Sequence, residues 1–344
     1  MSRSKKVLVS IIVCVVIIFC AAYLVAEKMI TANISKTAIT QKLEAATGYH
    51  VVIDGELHWQ YSLRPSLDLD KITFFSAEKK QVMAIENPHI SMALLPLLKK
   101  LVSIDFSFQD FQQNQLHFSK GDAHLEYKDN ILYLTDFQSQ FYQGHIQGKA
   151  SVDLSNATPK FAMNLNASDI EAASLFADLT QKASISGKMN ATTTLTSQGI
   201  NAEQFIKNLN GDLSLEVVNG KLLTIHLGSV IPNLPVEGAD FFDQLKIKAP
   251  IKNGIATTTL TLLAKNYRAD GSGPINLNNQ TLNIKLNVFY TRSQQTKNIA
   301  LPVTISGKIA SPSVSVDLTQ SLGTLLKANE GKIKNKFNVL IQGL

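Results

Sequence analysis

Residues 281–290 read TLNIKLNVFY. Leu282, Ile284, Leu286, Val288 and Tyr290 alternate with Asn283, Lys285 and Asn287. A period of two with one apolar and one polar face marks a strand in an antiparallel sheet that is covered on one side only. LPVTISGKIASPSVSVDL (301–318) repeats the device: Val303 and Ile305 carry the stripe to Gly307, and it restarts after Pro312 on the other parity. Upstream, DLSLEV (212–217) places Leu213, Leu215 and Val217 on one face, and FAMNLNA (161–167) does the same with Phe161, Met163, Leu165 and Ala167. SISGKMNATTTLT (184–196) adds Ile185, Met189, Ala191 and Leu195. Elsewhere the apolar positions are small or diluted by threonine, as at Thr257, Thr259 and Thr261.

The first half shows the same grammar. HVVIDGELHW (50–59) and PSLDLDKITF (65–74) read as two strands joined by a short turn, and SIDFSF (103–108), HLEYKDNILYL (124–134) and FYQGHIQGKASVDL (141–154) read as strands. In ISMALLPLLKKLVSI (90–104), Pro96 breaks a long helix and leaves a short helix or a bent strand. Helices are few. Residues 28–47 end at Gly48, 168–182 open with the capping-box spacing of Ser168 and Glu171, and 201–209 and 239–245 are short. QGKASVDL, SGKMNATTTL and SGKIASPSVSVDL form a loose Gly-Lys repeat, as expected of a sheet that grows by adding hairpins.

At the N-terminus, VLVSIIVCVVIIFCAAYLVA (7–26) carries no charge and is long enough to span a bilayer as a helix. Val7, Ile11, Val15, Phe19 and Ala26 mark its length. Arg3, Lys5 and Lys6 precede it and Glu27 follows, so the positive-inside rule puts the N-terminus in the cytoplasm and the body outside. The rival is a cleaved signal peptide. The run exceeds a usual signal core, and Leu24-Val25-Ala26 is a poor cleavage site. Both cysteines, Cys14 and Cys20, lie within the run, so the exported body needs no disulfide. At the other end, Leu322, Leu326, Ile333, Phe337, Leu340 and Leu344 fall at helical spacing among Lys327, Lys332, Lys334 and Lys336. That amphipathic helix either lies on an anionic membrane surface or caps the end of the sheet.

The 344 residues are 45% apolar and 17% charged, enough for a folded body. The net charge of +6 owes half to the three basic residues before the apolar run, and no dense basic face with interleaved aromatics indicates nucleic acid. Nor does a catalytic constellation emerge. The histidines lack metal-ligand spacing, although His117 and His124 flank an expected turn and could meet across it. GHIQGKA (144–150) is too short between its glycines for a phosphate loop and has Ala where Ser or Thr would bind magnesium. Asp68 and Asp70 share a strand face with no acid, base or histidine nearby in sequence. The reading predicts no enzyme, metal or cofactor.

These segments, taken in order, carry a resemblance. The anchor, ATGYHVVIDGELHW with RPSLDLDKITF, then SISGKMNATTTLTSQG, NLNGDLSLEVVNGKL, DFFDQLKIKAPIKNGIATTT, ADGSGPINLNNQTLNIKL and LPVTISGKIASPSVSVDL resemble the AsmA family of envelope proteins. Gly211, Gly220, Gly254, Gly271, Gly273, Gly307 and Pro312 fall where that family's pattern has them. The resemblance implies a body in the periplasm of a Gram-negative cell, fixed to the inner membrane. It also implies a fold related to the β-groove of bridge-like lipid-transfer proteins, and a link to phospholipid traffic and outer-membrane assembly. Envelope proteins of the periplasm or outer membrane are implied as further partners. The expected organisation is mainly β with a few helices. A tip and transmembrane anchor (1–27) lead into an elongated, curled antiparallel sheet, divided into β-groove portions at 28–160 and 161–320, and then the C-terminal helix (321–344).

Such a taco-shaped sheet would keep acyl chains from water along its apolar side. Leu213, Leu215, Val217, Leu282, Ile284, Leu286, Val288, Val303 and Ile305 are its predicted lining. Each buried methylene contributes about 0.8 kcal/mol, so a two-chain phospholipid is held without a specific pocket. Roughly 25 strands at about 4.8 Å spacing would extend up to about 120 Å. The alternative is an assembly factor whose sheet closes on its own side chains and binds protein at its edges.

The anchor reading has a direct check. A reporter active only outside the cytoplasm, fused after Leu344, is expected to be active, with Met1 or Ser2 retained at the mature N-terminus. A mature chain beginning near Glu27 would refute it.

Overall fold

The computed structural model describes residues 35–180, 183–223, 241–265, 267–290, 300–309 and 311–316; the predicted anchor and C-terminal helix lie outside them. Among the described residues, no helix is long and apolar enough to cross a membrane. Helix α1 (Lys36–Thr47) starts at Ser35, whose side chain accepts the Ala38 N–H, and stops at Gly48 in the left-handed conformation. Ile39 and Leu43, one turn apart, bury one face of it. The Glu44 carboxylate accepts the Val51 N–H at 2.9 Å and contacts the His50 ring at 2.7 Å. That backbone hydrogen bond holds the carboxyl below its ordinary range.

The expected strand pair is one kinked hairpin. β1 (His50–Asp54) pairs with β4 (Lys71–Phe75), and β2 (His58–Gln60) pairs with β3 (Ser66–Asp68) around the turn 61–65. β5 (Gln81–Glu86) and β6 (His89–Ala93) follow, and the ambiguous 90–104 segment resolves into β6, a 3₁₀ helix (Leu95–Lys99) and the start of β7 (Val102–Gln113). β7 is long enough to take two partners along one edge. β6 lies against Ser103–Ser107 and β5 against Asp110–Gln113, so the sheet forks there.

Beyond the fork the sheet is a plain antiparallel meander. β8 (Leu116–Lys128), β9 (Ile131–Phe141), β10 (Gly144–Asp153), β11 (Lys160–Glu171), β12 (Ile185–Gln198) and β13 (Asn210–Leu222) each pair with the next. β14 (Phe241–Lys252), β15 (Ile255–Leu263), β16 (Tyr267–Asn276), β17 (Thr281–Tyr290), β18 (Ala300–Lys308) and β19 (Ser311–Val316) continue it. The result is a large, open, curled antiparallel sheet, of nineteen strands among the described residues. Because of the fork, the longest unbroken run of pairings, from β1 through β4, β5 and β7 to β19, makes fifteen steps, roughly 72 Å at about 4.8 Å each, well below the length expected from the sequence. Asn253 and Gly254, with φ of 51° and 73°, form the type of two-residue turn that suits strand twist.

Several local expectations are corrected. Residues 241–245 belong to β14 and are not helical: Leu245, Ile247, Ala249 and Ile251 alternate with Gln244, Lys246, Lys248 and Pro250. β11 runs through Ser168, so α2 (Ala172–Thr180) begins later than the capping-box reading placed it. Glu171 is the actual cap and accepts N–H bonds from Ala173 and Ser174; burial raises its pKa, but these bonds outweigh it and the carboxyl titrates below its ordinary range. α3 (Ala202–Lys207) is capped by Asn201 as expected. The Gly-Lys repeat marks irregular register in two of its three copies, between Gly148 and Ala150 and between Ser186 and Lys188, instead of hairpin turns. A bulge of this kind bends the sheet.

The forked end closes on an aromatic core. Phe106, Phe108, Phe111, Phe118 and Phe141 touch in succession at centroid distances of 4.6–5.8 Å, and Tyr142 extends the chain edge-on. Tyr142 donates to the Gln115 carbonyl and to Asp178 on α2, tying that helix to the strand ends. Burial first, and then the bond to Asp178, push its phenol above the ordinary range. Gly121 sits opposite Phe108, and a β-carbon there would lie 2.0 Å from the ring. Gly121→Ala is therefore expected to lower stability by about 1–3 kcal/mol. An unchanged urea midpoint would mean that the ring does not pack over this glycine.

Candidate functional site: the apolar face of the meander

The strand register assembles the apolar side chains into rows that cross the sheet. In one row Met189 faces Val217, then Leu245, Leu262, Ala269, Val288 and Leu301, strand by strand. Every member is buried. The next row, two residues along, runs Ala191, Leu215, Ile247, Leu260, Gly271, Leu286 and Val303. Here only Val303 is buried; the others are half-buried, packed against the core but not fully covered. The apolar face is thus packed along the row nearer α2 and partly accessible along its middle. Aliphatic side chains at this spacing form a continuous, non-directional surface, which suits alkyl chains better than any polar ligand.

The predicted lining residues all lie on this face. Ile284 pairs with Ile305 and Leu286 with Val303, while Leu213 and Leu215 join them through β14, β15 and β16. Val217, Ile284, Val288 and Val303 are buried; Leu213, Leu215, Leu282, Leu286 and Ile305 are half-buried. Sequence reasoning missed Ile247 and Leu260, which bridge β13 to β17. The alternation of LKIKAPI was the available signal, and the helical reading of the preceding residues hid it. Thr257 and Thr259 do not dilute the lining: they are exposed on the opposite face, and Thr258 is the threonine that points inward. Its hydroxyl is buried without a hydrogen-bond partner.

The opposite face is polar and carries ion pairs. Lys246 lies 3.6 Å from Glu216 across β14 and β13, and Arg268 lies 2.5 Å from Asp270 along β16. A cavity of about 640 Å³ between β9 and β14 is lined largely from this side, by Lys149, Asn164, Thr192, Thr194, Asp212 and Lys248, together with Leu165 and Leu213. Lysines and aspartates alternate around it, and no single charge dominates.

Polar clusters near the fork differ from the expectation. Asp68 does have a histidine partner, His89, at 2.6 Å across β3 and β6. His117 and His124 do not meet across a turn, because both lie on β8. His124 instead contacts Asp105 at 2.6 Å on β7, and Arg64 approaches the same carboxylate at 3.0 Å. The His–Asp contacts are cross-strand hydrogen-bonded pairs on partly exposed side chains, the polar counterpart of the apolar rows. Among the described residues, no group of three or more His, Cys, Asp or Glu is placed to hold a metal ion.

The family model for AsmA matches residues 1–107 and 102–286. The chain belongs to the AsmA family. No curated protein and no solved structure matches it. Family membership and the open sheet agree with the resemblance drawn from the segments above.

Removing the unpartnered hydroxyl tests the burial of this face. Thr258→Val keeps the shape and deletes a desolvated polar atom, so it is expected to stabilise the protein by about 1 kcal/mol. Destabilisation would mean that the hydroxyl is hydrogen-bonded.

Proposed function

We propose that this AsmA protein holds or conducts phospholipids along the apolar face of its sheet, anchored in the inner membrane with its body in the periplasm. It would thereby support lipid supply to the outer membrane. The observation that carries the reading is the middle row from Ala191 to Leu286, which stays only partly buried beside a fully buried row. A folded protein rarely leaves a continuous apolar strip accessible unless something apolar covers it. Acyl chains fit that strip: each methylene withdrawn from water contributes about 0.8 kcal/mol, and the rows set no length or headgroup requirement. Headgroups would remain at the open seam. The charge-free run at 7–26 supports attachment to a membrane, and family membership supports an envelope setting.

One observation favours a second reading, an assembly factor that binds protein. Among the described residues β19 pairs only with β18, and Ser311, Ser313, Val314 and Ser315 are exposed along it. A free strand edge is a template for a partner strand.

Photocrosslinking separates the two. A benzophenone amino acid at Leu215, Ile247 or Leu286 is expected to capture phospholipid in cells, while one at Ser214, Lys246 or Lys285 on the polar face is not. Equal capture from both faces would contradict the assignment. Protein adducts from Ser313 without lipid adducts from Leu286 would favour the edge-binding reading.

A further inference from the structure

The strongest apolar exposure lies away from the groove. Tyr61 and Leu63, in the turn between β2 and β3, are each 80% exposed. Leu95 and Leu98, on the 3₁₀ helix between β6 and β7, are 70% and 85% exposed. The two connections are neighbours. β3 and β6 pair from Ser66 and Ser91, and the Met92 N–H donates to the Pro65 carbonyl at 3.1 Å, so both project from the same end of that strand pair. That end of the strands carries other exposed apolar residues, Ile200 at 68%, Leu154 at 43% and Ile255 at 41%, but each stands alone on its connection, whereas the paired connections bring four together, and the turns Asp129-Asn130 and Asn253-Gly254 are polar.

Local structure explains why these leucines face outward. In a 3₁₀ helix residues i and i+3 eclipse. Leu94 and Leu97 are half-buried on the inner side, Leu94 against the core, which sets Leu95 and Leu98 together on the outer side. Pro96 opens the helix, and Lys100, at φ 55°, ends it by donating to the Leu97 carbonyl. Lys99 and Lys100 are exposed beside the leucines, and Arg64, paired with Asp105, stands next to Leu63. Lys128 closes the adjacent strand, with Asp129 as the acid nearest to it in sequence. A tyrosine and three leucines collared by lysine and arginine is the composition of a segment that lies in a lipid–water interface.

The direction of the chain agrees. Lys36, at the start of α1, donates to the Gly55 carbonyl, and α1 ends at Gly48, just before β1 begins. α1 therefore runs back along β1, with Ser35 beside the end of β1 from which β2 leads to Tyr61. Eight residues separate Ser35 from the predicted anchor, a reach of at most about 27 Å. The distance from Gly55 to Tyr61 is about 20 Å if fully extended. The membrane that holds the anchor is within reach of the tip.

We propose that Tyr61, Leu63, Leu95 and Leu98, with Lys99 and Lys100, form a foot that inserts into the interface of an anionic phospholipid bilayer and sets the fork end of the sheet against it. This goes beyond the groove reading and does not depend on what the groove carries. The test uses the full chain with Cys14→Ala and Cys20→Ala, carrying a polarity-sensitive fluorophore on Leu98→Cys. The protein is reconstituted in vesicles of phosphatidylethanolamine with about one quarter phosphatidylglycerol. A second label on Phe241→Cys, an exposed position at the opposite strand ends, is the control. Lipids bearing a headgroup nitroxide are expected to quench the Leu98 label at least about twofold more than the Phe241 label, and adding Lys99→Glu with Lys100→Glu is expected to reduce that difference. Equal quenching at the two positions overturns the foot. A blue-shifted Leu98 label that lipid does not quench also overturns it, placing a second copy of the chain on the tip. Both failures leave the groove untouched, because lipid capture at Leu286 is read separately.

Discussion

Backbone pairing is the constraint on which everything else depends. Once β7 has been laid down, each following strand finds its partner in the one just made, and every described pair is antiparallel. Alternation then sends the apolar side chains of all these strands to one face, and among the described residues only short helices are available to cover it. A single layer cannot bury its own face unless it curls. Where the inner positions are rings, as in the Phe106–Phe141 chain, the curl fills and closes. Where they are Ala191, Leu215, Ile247, Leu260 and Leu286, beside Gly271, the volume is smaller and the face stays partly open. The same principle thus yields a packed end and an accessible trough within one sheet.

The two ends of the strands are also unequal. On one side α2 is tied down through Tyr142 and Asp178, and the row nearest to it is fully buried. On the other side the fork carries exposed leucines and lysines. A lipid passing between membrane and trough would meet apolar surface at both places, which links the proposed foot to the proposed path without requiring any reacting group. Hydrophobic burial is non-directional, so transport along such a face needs only that no position hold the lipid much more tightly than the next.

Much of this was legible in the sequence, because a strand with one wet face writes its structure in a period of two. TLNIKLNVFY and DLSLEV were read correctly as strands, and the register then placed their apolar residues on one face. The failures have physical causes. Residues 239–245 seemed helical because Phe241 and Phe242 are adjacent and interrupt the alternation that Leu245 resumes. The helix at α2 was started too early because a strand and a capping box share polar residues at the same spacing. Asp68–His89 and His124–Asp105 were invisible because each pair is 21 or 19 residues apart and only the register brings it together. The fork at β7 leaves no local mark at all: two partners on one edge is a tertiary choice.

The central claim is that the half-buried row is covered by acyl chains. The most direct measurement is the lipid content of the full-length protein purified in mild detergent, by native mass spectrometry with analysis of the extracted lipid. The account predicts protein ions carrying one or more two-chain phospholipids, which are lost when Leu215 and Leu286 are both replaced by Asp while the protein remains folded. Protein ions free of phospholipid, or a lipid complement unchanged by those substitutions, would contradict it.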